Sequence, residues 1–319
     1  MRVSSVQAAV AAIIMTVIAI SCSTEQKLVG DVPSPPSIPK GVERPPEADT
    51  PGGSVVMVGA GDIAACALPG DDAVAALIDS IDGTVFTLGD NVYDSGTLGE
   101  FANCYGPSWG RHKARTRPAP GNHEYNTTNA AGYFAYFGEA AGDPAKGYYS
   151  YDLGPWHVVV LNSNSECTTI SCAAGSPQER WLRADLAANT KACTIAYWHH
   201  PRFNSGSRHG NSTAVAPLWN ALYDFNADVI LNAHEHLYER FAPQSPKGAA
   251  DSTRGIRQFI VGTGGRSHYG IGRIKANSEV RNASTYGVLK LTLSEGAYAW
   301  RFVPVTGATF TDSGTGSCH

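Results

Sequence analysis

Apolar, β-branched runs alternate with polar loops along most of this chain, and several runs stop just before an aspartate or a histidine. The four clearest runs lie at residues 54–58, 84–88, 194–198 and 229–232. Stretches with helical periodicity separate them, at 71–81, 176–188 and 214–225. Pro177 lies in the first turn of the second predicted helix, where proline is well tolerated. The pattern predicts strand, polar loop and helix in alternation.

Further apolar or alternating segments follow in the second half of the chain, at 148–153, 156–162, 256–261, 288–293 and 297–302. We expect antiparallel strands there. Central strands of an α/β sheet place their carboxyl ends along one edge, where ligands collect in the loops. We therefore expect two mixed sheets packed face to face with helices outside, a four-layer α/β/β/α sandwich within residues 54–319.

Composition limits the range of partners. The chain has 319 residues, of which 43% are hydrophobic and 16% charged, enough to bury a sizeable core. Its formal net charge of −4 offers no basic face for nucleic acid and no polybasic patch for a membrane surface. This composition fits a small soluble substrate better than it fits a nucleic acid or a membrane surface.

The N-terminus is typical of an export signal at residues 1–22, because Arg2 precedes an apolar run at 10–20 that is too short to span a bilayer. The stretch from Ala19 to Cys22 also resembles the lipobox of bacterial lipoproteins, in which the cysteine is lipidated after cleavage. A plain secretory signal cleaved nearby is the alternative. We expect an exported protein, either anchored in the cell envelope through Cys22 or secreted.

Proline is frequent from residue 31 to residue 53, a composition that favours extended structure. We interpret residues 23–53 as a tether, with a disordered N-terminus as the alternative. Six cysteines follow: Cys66, Cys104, Cys167, Cys172, Cys193 and Cys318. Because export leads to an oxidising compartment, we expect disulfides, although spacing indicates only a local pair of Cys167 with Cys172.

Residue types that bind metals stand where the apolar runs end: Asp62, Asp90 with Tyr93, His199, and His234 with His236. Asn122 with His123 instead follows the rigid segment Pro118-Ala119-Pro120. One carboxylate can bridge two ions, and a charged phenolate oxygen suits Fe(III). A metal pair supplies the charge neutralisation and the in-line geometry that hydrolysis of a phosphate ester requires. The sequence therefore predicts a dinuclear metal site.

Two further histidines lie close by in sequence. His200 points away from His199 if both lie on a strand, so we expect it to pack or to support a ligand. His209 lies on a loop rich in glycine and serine, from which it could protonate a leaving alkoxide. We include His209 in the predicted site as a proton donor.

Five ordered motifs together resemble those of the calcineurin-like metallophosphoesterases, and within them the purple acid phosphatases. They are Gly61-Asp62, Gly89-Asp90-Asn91-Val92-Tyr93, Gly121-Asn122-His123-Glu124, His199 with Pro201, and the run from His234 to Arg240. The resemblance extends from about Val55 to about Val303 and so covers most of the chain after the predicted tether.

The resemblance implies a role for each predicted ligand. Asp62, Tyr93 and His236 would bind Fe(III), and Asn122, His199 and His234 would bind a divalent iron, zinc or manganese ion. Asp90 would bridge the two ions. His123 and His209 would contact the phosphate and the leaving group, with a metal-bound hydroxide as the nucleophile.

Departures from the wider superfamily refine this expectation. Ala64 stands where the superfamily has a histidine two residues after the aspartate, and Tyr93 is what the purple branch has instead, which argues for iron. We expect an acid phosphatase-like enzyme that hydrolyses phosphomonoesters. A phosphodiesterase or nucleotidase with the same metals is the alternative, and a non-catalytic envelope binding protein is the rival from another class.

Overall fold

Short strands dominate the computed structural model, which describes residues 53–319. In chain order they are β1 (Val55–Ala60), β2 (Ala64–Ala65), β3 (Thr84–Leu88), β4 (Val92–Tyr93), β5 (Thr116–Ala119), β6 (Tyr149–Leu153), β7 (Trp156–Val160), β8 (Cys193–Tyr197), β9 (Val229–Asn232), β10 (Tyr238–Phe241), β11 (Arg257–Val261), β12 (Ser278–Asn282), β13 (Gly287–Ser294), β14 (Ala297–Pro304) and β15 (Ser313–Ser317). The α-helices are α1 (Gly70–Ile78), α2 (Leu98–Glu100), α3 (Ala131–Phe137), α4 (Pro177–Ala188) and α5 (Ala216–Asp224).

Two predictions fall on the N-terminal part of the chain. The export signal at 1–22, with Cys22, and all but the last residue of the tether at 23–53 lie outside the described residues. Within residues 53–319, the helices are too short or too polar for any of them to cross a membrane.

Six strands form the first sheet, in the order β15-β14-β13-β1-β3-β5. The strands β1, β3 and β5 are parallel, with Val58 opposite Val85 and Leu88 opposite Ala119. The strand β13 pairs antiparallel with β1, and β14 and β15 continue the antiparallel half. The carboxyl ends of the three parallel strands therefore share one edge of this sheet.

Seven strands form the second sheet, in the order β12-β10-β11-β9-β8-β7-β6. The strands β7, β8, β9 and β11 are parallel, whereas β6, β10 and β12 are antiparallel to their neighbours. The expectation of antiparallel strands at 156–162 and 256–261 is therefore wrong for the β7–β8 and β9–β11 pairs. Between β7 and β8 the chain returns to the starting end of the sheet through α4, and between β9 and β11 it returns through the antiparallel strand β10, which permits parallel pairing.

The two sheets pack face to face through aromatic side chains. Phe86 of β3 and Tyr197 of β8 have ring centroids 6.0 Å apart. Trp156 of β7 makes an edge contact with Tyr298 of β14, and its indole N–H donates to the carbonyl of Ser294. Residues of both sheets thus share one buried core.

Helices cover the outer faces of the sheets. Leu182 of α4 and Leu218 of α5 pack with residues of the second sheet in a separate buried cluster, and Val74 of α1 packs against the first sheet. The Ser176 side chain accepts the N–H of Glu179, which explains why α4 begins where the sequence predicts. The four-layer α/β/β/α sandwich is confirmed.

Three disulfides join the cysteines of the described residues: Cys66 with Cys104, Cys167 with Cys172, and Cys193 with Cys318. The local pair predicted from spacing is confirmed. The third disulfide links the first residue of β8, in the second sheet, to the residue after β15, in the first. All six sulfurs are therefore engaged in covalent bonds rather than offered to a metal.

His157 on β7 holds α4 and β6 to the second sheet through two carboxylates. Its Nε2 lies 2.8 Å from Asp185 of α4, and its Nδ1 lies 3.0 Å from Asp152 of β6. Burial lowers the pKa of His157, but the hydrogen bonds to Asp185 and Asp152 outweigh burial and raise that pKa overall. The ion pairs of His157 therefore stabilise the fold fully at pH values below the His157 pKa in the unfolded chain. This stabilisation is lost as pH rises through the His157 pKa in the folded protein.

We expect His157→Gln to lower the free energy of unfolding by about 1–3 kcal/mol at about pH 5.5, and by less at about pH 9. Urea denaturation at both pH values measures the difference. His112→Gln is the control of opposite sign, because burial lowers the pKa of His112. A loss of stability in His157→Gln that grows with pH would contradict this account.

Candidate metal centre

Parallel strands of both sheets end at one edge of the sandwich, and the predicted ligands lie in the loops that follow them. Asp62 follows β1, Asp90 follows β3, Tyr93 is the last residue of the short strand β4, Asn122 follows β5, His199 follows β8, and His234 and His236 lie between β9 and β10. Residues far apart in sequence are brought together because the carboxyl ends of parallel strands share an edge.

Three ligand atoms form a compact first donor set. The Tyr93 hydroxyl lies 2.9 Å from Asp62 Oδ1 and 3.2 Å from His236 Nε2, and those two atoms lie 3.4 Å apart. Atoms that bind one ion at about 2.0–2.1 Å lie about 3–3.4 Å from one another in tetrahedral or octahedral geometry. All three side chains are buried. The first set therefore fits one metal ion.

A second donor set lies beside the first. His199 Nε2 lies 3.2 Å from His234 Nδ1. Asn122 Oδ1 is buried and has no hydrogen-bond donor among the described residues, a deficit that a cation would remove. The His200 ring lies 4.2 Å from that of His234, and its Nδ1 contacts Ser163 Oγ at 2.8 Å. The imidazoles of His199 and His234 therefore lie close enough together to hold a further ion.

Asp90 lies between the two donor sets. Its Oδ2 is 3.1 Å from the Tyr93 hydroxyl and 3.2 Å from His199 Nε2. Its Oδ1 accepts the backbone N–H of His123 at 2.9 Å, which fixes the orientation of the carboxylate. One side chain thus contacts both sets, as a bridging ligand must.

The backbone adopts an uncommon conformation at several of these loops. Asp62, Asp90 and His234 have φ angles of 58°, 49° and 68°, in the left-handed region that residues other than glycine seldom occupy. Gly89 allows the loops to approach, because a Cβ there would lie only 2.8 Å from the Cβ of His199. Strained residues of this kind cluster at functional sites.

Hydrogen bonds on the far side of two imidazoles decide which nitrogen faces the centre. His199 Nδ1 lies 2.7 Å from the carbonyl oxygen of Leu88, and His236 Nδ1 lies 3.0 Å from Ser267 Oγ. In both residues Nε2 faces the carboxylates. Partners of this kind orient metal-ligating histidines in proteins.

The centre concentrates negative charge in a buried place. Burial and the carboxylates of Asp62 and Asp90 hold the pKa of Tyr93 well above its usual value. Burial opposes ionisation of Asp90, but the neighbouring His199 outweighs it and lowers the pKa of Asp90. Burial alone would lower the pKa of His199, whereas Asp90 raises it to about 9. Buried ionised carboxylates require cationic partners, which metal ions would provide.

The two predicted catalytic histidines flank the donor sets at the surface. The side chains of His123 and His209 are 29% and 31% exposed. The His123 ring packs 4.3 Å from that of Tyr93, and its Nε2 lies 3.9 Å from Asp90 Oδ2. The His209 ring stacks on His234 at 4.0 Å. Both imidazoles can therefore reach a bound substrate.

Two buried glutamates support the site but were not among the residues predicted from the sequence. Glu124 accepts backbone N–H groups from the loops after β3 and β5 at 2.6–3.0 Å, and so joins those loops. Glu235, between His234 and His236, accepts the N–H of His209 at 3.0 Å. The signal was present, since a charged residue inside an otherwise buried motif must find partners.

Two guanidinium groups lie over aromatic rings next to the first donor set. Arg266 lies 4.9 Å from the ring centroid of Tyr93, and Arg208 lies 4.9 Å from that of Tyr269. Tyr269 in turn stacks on His236 at 3.9 Å. The sequence did not reveal these arginines, because both lie on loops outside the ligand motifs.

The two-sheet sandwich with these side chains at one edge has the metallophosphoesterase fold. The sequence model of the calcineurin-like phosphoesterase family matches residues 58–238, more than half of the chain. The chain therefore belongs to the calcineurin-like phosphoesterase family.

Relatives place the chain in the purple acid phosphatase-like branch. Purple acid phosphatase 15 of Arabidopsis thaliana is 27% identical over 205 residues, covering 53% of this chain and 38% of the relative. Acid phosphatase type 7 of Homo sapiens is 30% identical over 144 residues, covering 39% and 32%. The match spans little more than a third of the length of such curated relatives.

A solved structure has the same fold. The purple acid phosphatase PPD1 from yellow lupin (Lupinus luteus) seeds superposes with a TM-score of 0.66 at 18% identity, covering 83% of this chain and 54% of that chain. The likeness at this identity concerns the fold, and the sandwich is therefore that of a known phosphatase.

Proposed function

We propose that this chain hydrolyses phosphomonoesters at a dinuclear metal centre, as an acid phosphatase-like enzyme. The observation that carries the proposal is Asp90, a buried carboxylate whose Oδ2 lies within 3.2 Å of ligand atoms from both donor sets. The resemblance to purple acid phosphatase 15 and to acid phosphatase type 7 supports it. The complete donor sets favour an enzyme over a non-catalytic binding protein.

The proposed ligands divide into two groups. Asp62, Tyr93 and His236 would hold Fe(III); Asn122, His199 and His234 would hold a divalent iron, zinc or manganese ion; and Asp90 would bridge them. When bound, the ions neutralise the phosphate oxygens and make the attacking water more acidic.

The remaining polar residues would handle the substrate. His123 lies where it can bind a phosphate oxygen, and His209 where it can protonate the leaving oxygen. Arg208 and Arg266 would attract a small anionic ester to the centre. The chain's own side chains thus bind the phosphate and move the proton.

The choice between monoester and diester is tested with matched substrates. We expect kcat/KM for p-nitrophenyl phosphate to exceed that for bis-p-nitrophenyl phosphate by at least about tenfold, a difference of about 1.4 kcal/mol in activation free energy. Steady-state kinetics with the metal-loaded protein measure both values. A clear preference for the diester would overturn the monoester proposal in favour of a phosphodiesterase, and a preference for nucleoside monophosphates would favour a nucleotidase.

Tyr93 provides a test of metal identity. If Tyr93 binds Fe(III), the protein has a visible charge-transfer absorption band, and Tyr93→Phe loses that band while the fold remains. Visible spectra and metal analysis of both proteins check this expectation. Tyr136→Phe, which removes a hydroxyl from a ring that stacks on Phe101, is the matched control and should keep the colour. A colourless, active protein without iron would refute the assignment.

We further propose that the protein is exported. Three disulfides support this proposal, because disulfides persist in oxidising compartments. The proposed signal at residues 1–22 leaves two outcomes: lipidation of Cys22 with the domain held on the tether at 23–53, or release after cleavage nearby. Mass spectrometry of the mature N-terminus distinguishes them.

A further inference from the structure

Glu235 stands out because it lies between two metal-ligand histidines and yet faces away from the donor sets. Its side chain is fully buried. Oε1 accepts the backbone N–H of Arg208 at 2.9 Å, and Oε2 accepts that of His209 at 3.0 Å. Oε2 also accepts from Asn204 Nδ2 at 3.0 Å. One carboxylate therefore holds three points of the loop at residues 204–211.

The fit between this loop and Glu235 is close. A Cβ on Gly206 would lie only 2.1 Å from Glu235 Oε1, so the loop backbone passes directly over the carboxylate. Asn204 closes the loop from inside, because its Oδ1 accepts the Gly206 N–H at 2.6 Å and its Nδ2 donates to the Gly210 carbonyl at 3.1 Å. The loop thus has a defined shape with Glu235 at its centre.

The carboxylate also contacts the catalytic imidazole itself. His209 Nδ1 lies 3.3 Å from Glu235 Oε2, while the His209 ring stacks on His234 with an interplanar angle of 25°. Because Nδ1 is engaged by an acceptor, Nε2 is the nitrogen left to face a substrate. The ring plane and the free nitrogen are both fixed by contacts to residues of the His234-Glu235-His236 segment.

We propose that Glu235 is a positioning residue for proton donation: it holds the 204–211 loop and the Nδ1 side of His209 so that Nε2 meets the leaving oxygen. This inference rests on the proposed phosphomonoesterase function. In the step, the attacking water oxygen forms the new P–O bond and the bond to the leaving oxygen breaks. The electron pair stays on the leaving oxygen, which takes the proton from Nε2, while Nδ1 keeps its contact with Glu235. Of the two water protons, one stays on the phosphate product and the other restores the proton on Nε2.

Leaving-group dependence tests the proposal, because only a poor leaving group needs the proton. p-Nitrophenyl phosphate has a good leaving group and glycerol 3-phosphate a poor one. We expect Glu235→Gln to lower kcat on glycerol 3-phosphate by about 10–100-fold, and on p-nitrophenyl phosphate by less than about threefold. His209→Asn should show the same selectivity, and the double variant should add little to either single change.

Glu239→Gln is the matched control. Glu239 is also a fully buried glutamate; it accepts the N–H of Ser205 at 2.9 Å and a hydroxyl hydrogen bond from Ser278. It therefore anchors the start of the same loop without touching His209. We expect any loss in this variant to be equal for the two substrates. The metal content of each variant, measured in parallel, separates a positioning effect from a loss of ions.

The outcomes separate the two proposals. If the metal-loaded wild type hydrolyses neither substrate, the proposed function fails. If the wild type is active but Glu235→Gln slows both substrates equally with both ions retained, Glu235 is only structural and this inference fails alone. Should Glu235→Gln not fold, Asn204→Ala decides, because it removes one partner of the carboxylate and should give the same selectivity to a smaller degree.

Discussion

Replacing Asp90 with alanine is expected to lower the rate of phosphomonoester hydrolysis by at least about a thousandfold, equivalent to about 4 kcal/mol of transition-state stabilisation. Asp90 Oδ2 contacts the Tyr93 hydroxyl and His199 Nε2, and Oδ1 accepts the N–H of His123. The substitution therefore removes the side chain that joins both donor sets and also frees the loop that carries His123. No other described carboxylate contacts Tyr93 and His199 at such short distances.

The comparison with Asp90→Asn separates charge from shape, since asparagine keeps the volume but loses the negative charge. We expect both variants to bind fewer metal ions per chain, measured by elemental analysis, and to be nearly inactive in the same assay. Asp143→Asn is the control, because Asp143 is exposed and its carboxylate contacts only the nearby residues Ala145 and Lys146 among the described residues. An Asp90→Ala protein that keeps two ions and the wild-type rate would remove the basis of the proposed function.

Loss of the Cys193–Cys318 disulfide is expected to cost about 5 kcal/mol of the free energy of unfolding. The two cysteines are 125 residues apart in sequence, so the bond removes much of the conformational freedom of the unfolded chain. A loss of this size is comparable to the whole stability of many domains. We therefore expect Cys193→Ala with Cys318→Ala to unfold at a markedly lower urea concentration.

The Cys167–Cys172 pair provides a matched comparison within the same chain. These residues are only five apart, and the same chain-entropy relation gives about 2 kcal/mol for their removal. Urea denaturation of both double variants, with equal metal content, measures the two losses. Equal losses would show that the length of the closed loop does not govern the contribution of these bonds.

Most ligand positions were predictable because they follow a strongly apolar run. The runs before Asp62, Asp90 and His199 became β1, β3 and β8, and their parallel pairing carried the polar residues to one edge. Such runs are recognisable in sequence because strands buried on both faces are nearly continuous in hydrophobic residues. The fold class followed from the same signal.

Other elements had no such signal. The strand β15 has the sequence Ser-Gly-Thr-Gly-Ser and forms an edge of the first sheet, where pairing depends on the neighbouring β14 rather than on its own side chains. The strand β5 contains Pro118, which ordinarily argues against a strand, but β5 is also an edge strand. Edge strands of weak β-propensity are therefore the part of the fold that could not be predicted from this sequence.

The supporting residues of the site could not be predicted from the sequence for a different reason. Glu124 and Glu235 act on backbone N–H groups of loops that are distant in sequence, and an N–H group has no side-chain identity to recognise. The pairing of Cys66 with Cys104 and of Cys193 with Cys318 also required the fold. Metal-binding side chains at strand ends can be recognised in a sequence, whereas the loop contacts that hold these side chains in place cannot.

The position of the third disulfide determines which side of the molecule faces a solid support when the protein is attached through its C-terminus. Cys193 is the first residue of β8, whereas His199 follows the last residue of that strand, so Cys318 is tied to the end of β8 opposite the metal ligands. The first and last residues of this strand, Cys193 and Tyr197, are about 13 Å apart at about 3.3 Å per residue. An affinity tag placed after His319 would therefore leave the edge with the proposed metal ligands turned outward, and an immobilised sample should still hydrolyse the phosphate esters used in the proposed assays.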